Sequence, residues 1–132
     1  MIPKFRAWFD SEMYDMPIVC DGDLYLDYSD FLNGDTCNDA IVMQSTGLFD
    51  INDKEIFEGD IVRISIKIGK RWTTTIGAIE FDKSEVCYSK IRIRNELGVY
   101  YVTMFNARFF EVIGNIYENP ELLEGVEDDT EV

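Results

Sequence analysis

Six aspartates, Asp21, Asp23, Asp27, Asp30, Asp35 and Asp39, fall within nineteen positions, close enough in sequence to collect a divalent cation or a cationic partner. A calcium loop needs Asp-x-Asp/Asn-x-Asp/Asn-Gly with glutamate at its twelfth position. Here Tyr25 stands at the third ligand position and Leu26 where the glycine belongs. The spacing therefore favours a solvated acidic contact surface over a metal site. Paired carboxylates also hydrolyse glycosides when a cleft holds them at a set separation in different environments, but no accompanying motif supports this. A metal-assisted hydrolase built on these aspartates is the last of three readings.

Other reaction chemistry has little to stand on. The chain contains no histidine, which removes the commonest general base and metal ligand near neutral pH. No Gly-x-Ser-x-Gly elbow, phosphate-binding P-loop or Gly-x-Gly-x-x-Gly turn occurs. Cys20, Cys37 and Cys87 are odd in number and widely spaced, which suits buried thiols better than a disulfide framework or a zinc site. No catalytic, cofactor-binding or metal-ligating residue is assigned, and the expected activity is non-enzymatic.

Charge is the strongest signal. The net charge is −14, distributed as −11 over residues 1–60, +5 over 61–110 and −8 over 111–132. From Ala7 to Asp53 there is no Lys or Arg. A folded surface this acidic can occupy a basic site on another macromolecule by the electrostatic steering that draws nucleic acid there. The basic middle offers a candidate face of its own: Arg63, Lys67, Lys90, Arg92 and Arg94 alternate with apolar residues, and Lys70-Arg71 follow at a turn. Such a face could contact phosphates. The alternative is internal neutralisation by the acidic N-terminal segment, and the overall negative charge repels a polyanion at long range.

The elements that would carry these groups are mostly strands. Val62, Ile64, Ile66 and Ile68 alternate with Arg63, Ser65 and Lys67, the period of a half-buried strand. Gly69-Lys70 breaks it, and Trp72 to Phe81 forms the next, with Gly77 marking a bulge or a close backbone approach. Asp82-Lys83-Ser84 turns into a strand from Val86 to Arg94, and Asn95 to Gly98 turns into Val99 to Met104. Phe109 to Ile116 is a last strand interrupted at Gly114. Asn119-Pro120-Glu121 opens a short helix, with Asn as cap and Pro at the first helical position. Near the start, Phe5 to Trp8 is strand-like, Asp21-Gly22-Asp23 turns between two short strands, and Tyr28 to Leu32 suits one helical turn. Between Thr46 and Val62, Asn52-Asp53 turns the chain and Gly59 precedes Asp60, whose carboxylate should bind turn amides.

This pattern predicts a mainly β fold: a small antiparallel, SH3-like β-barrel with an N-terminal β-rich or α+β segment and a short C-terminal helical turn. The expected division is an acidic N-terminal segment, 1–45, packed on the barrel; the barrel, 46–118; and a helical turn with an acidic disordered tail, 119–132.

Four stretches resemble one family: Pro3-Lys4-Phe5-Arg6-Ala7-Trp8; Met43-Gln44-Ser45-Thr46-Gly47-Leu48; Lys54 to Val62, read KEIFEGDIV; and Val112 to Leu123, read VIGNIYENPELL. Together they are similar to the YopX family of small phage and prophage proteins over nearly the whole chain apart from the acidic tail. The resemblance implies a predominantly β fold, a phage or prophage origin and the cytoplasm of a bacterial host, and it brings no activity or catalytic residue. The family often has Asn-Gly where this chain has Asn52-Asp53, which implies a different turn type. Independently, no run reaches the roughly 18 apolar residues of a membrane span, and the N-terminus lacks the apolar core of a secretory signal. The leading expectation is a phage accessory protein, without cofactor, that binds a host or phage protein through its acidic surface. Nucleic-acid binding by the basic face is the alternative, and the aromatic-rich strand from Val99 to Phe105 leaves self-association open.

Overall fold

A computed structural model describes residues 4–82, 90–95, 98–101 and 107–124. The chain is mainly β, as the alternation requires, and its contacts divide it into two units, Met1–Ser45 and Thr46–Val132. The expected starts of strands at Val86, the centre of the turn at 96–97, Val102 to Met104, the turn residues after Asp82, Cys87 and the tail beyond Glu124 lie outside the described residues.

In the first unit β1 (Phe5–Phe9) pairs antiparallel with β2 (Glu12–Tyr14) and with residues 41–44 of β5 (Ile41–Phe49). The β1–β2 connection is a two-residue turn in which Asp10 and Ser11 both have positive φ, 51° and 64°. β3 (Ile18–Cys20) and β4 (Asp23–Tyr25) form a second tight hairpin around Asp21 and Gly22, with φ of 51° and 85°. Two consecutive positive φ values are the signature of the mirror-image turn that matches strand twist. The helix α1 (Tyr28–Asn33) follows, capped by the Asp27 carboxylate accepting from Asp30 N–H at 2.8 Å and closed by left-handed Gly34. Ala7, Leu24 and Leu26 form the small core here, with Tyr14, Cys37 and Ala40 against it.

The second unit holds the end of β5, β6 (Glu55–Phe57) and a curled half-barrel of five antiparallel strands. Its order is β10-β9-β8-β7-β11, from β7 (Asp60–Ile68), β8 (Arg71–Asp82), β9 (Lys90–Asn95), β10 (Gly98–Tyr101) and β11 (Phe110–Asn115). A 3-10 turn, Ala107–Phe109, leads into β11, and α2 (Glu121–Glu124) follows it. The core is Ile56, Val62, Ile79, Ala107 and Phe110, with Leu48, Ile64 and Val112 packed against it. Burying a side chain the size of Val62, Ile79 or Phe110 stabilises a fold by roughly 1.5–3 kcal/mol.

The β7–β8 register runs through the Val62–Gly77 pair without a shift, so Gly77 marks no bulge. The irregularity sits at Gly114, where the β7–β11 register slips between Val112 and Gly114. A Cβ on Gly114 would stand 2.5 Å from Asn119 Oδ1 and 2.9 Å from Leu122 Cδ1, so only glycine lets α2 lie this close to the strand. The Asn119 side chain is turned back to accept from Asn115 N–H at 3.3 Å, and the first helical turn is held through the Asn119 carbonyl, which accepts from Leu122 N–H.

Candidate functional site

Two sets of carboxylates differ in what they touch. In the second unit, Asp50 is fully buried at the end of β5. One of its oxygens accepts from Asn52 N–H and Lys54 N–H, each at 2.8 Å, and the other from Val112 N–H at 2.8 Å. The first two bonds fold residues 50–54 into a loop, and the third fastens that loop to β11, helped by Ile51 N–H donating to the Phe110 carbonyl. A carboxylate needs such donors to be kept from water at all. Asp60, also buried, accepts from Phe57 N–H at 2.8 Å and shapes the turn in which Gly59 has φ 89°. Asp53 takes φ 61°, the left-handed conformation a glycine would supply, and its carboxylate pairs with Arg108. Glu111 pairs with Arg63. These acids are part of the architecture.

In the first unit the six aspartates singled out by spacing fall into smaller groups. Asp27, Asp30 and Asp35 gather around α1: the Asp30 carboxyl is raised above its ordinary value by partial burial first, then by the charges of Asp27 and Asp35. Asp21 and Asp23 lie at the β3–β4 turn near the Tyr25 phenol, which burial, then Asp23, Cys20 and Asp21, push upward. Asp23 also accepts from Asn38 Nδ2 at 3.0 Å, while Asn38 Oδ1 accepts from Leu24 N–H. Asp39 is exposed in the turn before β5. The α1 group extends toward β2, because the Tyr14 phenol is raised by burial and then by Glu12, Asp27, Asp30 and Asp10. Among the described residues no three His, Cys, Asp or Glu side chains are grouped as a metal site.

The aspartate spacing gave no sign of the apolar side of this group. α1 buries none of its residues, and Tyr28 and Leu32 are 64% and 65% exposed. Phe31 stacks on Tyr28 with ring centroids 6.3 Å apart and meets Tyr25 edge-on at 5.2 Å. Glu12 and Asp10, which share the field around Tyr14, were equally unremarked by spacing. The signal lay in Tyr28 and Leu32 being four residues apart, one helical turn.

Of the basic candidates, Arg63 is on β7 and paired with Glu111. Lys67 is on β7 opposite Trp72 in register, and β9 brings Lys90 opposite Asp82, Arg92 opposite Glu80 and Arg94 opposite Ala78. Three of these five positions therefore have an acidic residue at the facing register position.

A small acidic α+β unit followed by an antiparallel half-barrel with a glycine bulge and a short closing helix defines a mainly β protein class. Residues 4–124 match the family model "YopX protein", and the chain belongs to the YopX family. Its structure is similar to the crystal structure of protein EF1440 from Enterococcus faecalis, at 26% identity and a TM-score of 0.51 over 93% of this chain and 99% of that one. It is also similar in fold to the X-ray structure of yopX from Bacillus subtilis, with 24% identity, a TM-score of 0.58, and 96% and 99% of the two chains covered. No curated protein matches the sequence. No helix among the described residues is long and apolar enough to cross a membrane.

Proposed function

We propose that this protein is a non-enzymatic phage or prophage accessory protein, working in the cytoplasm of a bacterial host, that binds a basic region of a host or phage protein through its first unit. The observation carrying this reading is the unequal use of charge. Residues 1–45 hold Lys4 and Arg6 against nine Asp and Glu, and residues 46–132 hold ten basic against seventeen acidic residues. Each unit is −7, but the first concentrates that charge in about half the length. None of Asp21, Asp23, Asp27, Asp30, Asp35 and Asp39 forms an ion pair among the described residues. Such a surface attracts a cationic partner and speeds its approach.

The test is capture from host lysate on the immobilised full chain, followed by reconstitution with the purified captured protein. Binding should weaken between physiological and high salt and fall in the Asp27→Asn, Asp30→Asn, Asp35→Asn variant, while Arg92→Ala with Arg94→Ala leaves it unchanged. The opposite pattern, with mobility shifts of single- or double-stranded DNA or RNA that Arg92→Ala plus Arg94→Ala abolishes, would replace this reading with nucleic-acid binding.

A further inference from the structure

The acidic reading does not explain why a helix at the centre of the negative field exposes two large apolar side chains. α1 is capped at both ends by its own neighbours, Asp27 and Gly34, so its shape does not await a partner. Tyr28 and Leu32 occupy one face at i and i+4 spacing, and the Tyr25–Phe31–Tyr28 ring contacts hold the Tyr28 ring from behind. Asp27 and Asp35, both exposed, flank this face at its two ends, whereas Asp30, two residues from both Tyr28 and Leu32, is half-buried on the opposite side of the helix.

We infer that the Tyr28–Leu32 face of α1 is a docking surface for an arginine-bearing amphipathic segment of another protein. The segment's apolar side chains cover Tyr28 and Leu32 while its guanidinium groups meet Asp27 and Asp35 at the two ends of the helix. Charge complementarity selects the occupant. An apolar segment alone would leave the two flanking carboxylates uncompensated, whereas a purely cationic one would leave Tyr28 and Leu32 in water. Arginine suits the site better than lysine because its planar, weakly hydrated guanidinium pairs with carboxylates in a fork. A cation here also relieves the repulsion that Asp27 and Asp35 impose on Asp30. Large exposed side chains ringed by polar groups are the usual anatomy of a protein contact. This inference rests on the acidic-unit reading and narrows it to one face and one partner chemistry.

Two synthetic peptides of equal charge test it on the full chain: an Arg/Leu amphipathic helix and its Arg/Ser counterpart, titrated calorimetrically at low and physiological salt. The Arg/Leu peptide should bind more tightly, and Tyr28→Ser with Leu32→Ser should weaken it about tenfold or more, as loss of buried anchors does. The same double variant should leave Arg/Ser binding unchanged, which reports that the acidic surface is intact. Asp27→Asn with Asp35→Asn should weaken both peptides, and asparagine keeps the helix cap. Equal binding of the two peptides, or Arg/Leu binding untouched by Tyr28→Ser and Leu32→Ser, would overturn the docking face while leaving the acidic-unit reading standing. Failure of both peptides to bind even at low salt would overturn both.

Discussion

The two units carry the same net charge and put their carboxylates to opposite uses. In Thr46–Val132, Asp50 and Asp60 are buried on backbone amides, and Asp53 and Glu111 are matched by Arg108 and Arg63. In Met1–Ser45 the acids stay at the surface, and those around α1 crowd one another. An acid that accepts amide hydrogen bonds stabilises its fold, whereas acids that repel one another weaken theirs. The difference separates architecture from contact surface more sharply than net charge does.

Substitutions at three positions probe that contrast in decreasing order of effect. Asp50→Ala strands three amides in a buried place, Asn52, Lys54 and Val112, and should destabilise the fold by roughly 3 kcal/mol or more in denaturant titration. A loss under about 1 kcal/mol would show that water replaces the carboxylate easily, and that buried acids are not what holds the 50–54 loop. Asp27→Ala removes only a helix cap and should cost about 1 kcal/mol, with Asp27→Asn close to neutral. An equal loss in both variants would mean that the Asp27 charge itself supports the fold, against the contrast drawn here.

Asp30→Asn should act in the reverse direction. The folded carboxyl is raised above its ordinary value of 3.8, so the ionised form opposes folding. The folded state binds the proton more tightly than the unfolded one, and stability from this group falls as pH rises through the two values. At neutral pH that penalty is fully present and the variant should melt higher than the parent. Below 3.8, with the carboxyl protonated in both states, the advantage should vanish, and added salt should shrink it at neutral pH. Thermal melts at pH 7 and pH 3 would check this, and a variant less stable at pH 7 would contradict it.

The strands of the half-barrel were the most legible part of the sequence because their alternation is long. Val62, Ile64, Ile66 and Ile68 can only sit on one face of a strand, and β7 follows. The β3–β4 turn was legible because Asp21-Gly22 is a strong hairpin signal, whereas the β1–β2 turn was not, since Asp10 and Ser11 adopt positive φ without any glycine to announce it. Gly77 reads from sequence as a bulge or a close backbone approach and Gly114 as an interruption of the last strand; the register slips at Gly114, and what demands glycine there is the approach of Asn119 and Leu122, a tertiary contact that spacing does not show. Asp50 looked like one more surface acid, since the Val112 amide that it meets is 62 positions away. Spacing identified the acidic residues around α1 but not the Tyr28–Leu32 face. A six-residue helix is too short to show a periodic pattern against which an exposed apolar pair would stand out.

On this reading the first unit supplies the contact surface. Amide hydrogen exchange of the full chain, with and without saturating Arg/Leu peptide, tests it most directly. Exchange should slow within residues 23–35, centred on α1, and stay unchanged across β7, β8 and β9. Protection confined to β7–β9, or none over residues 23–35 when binding is complete, would contradict it.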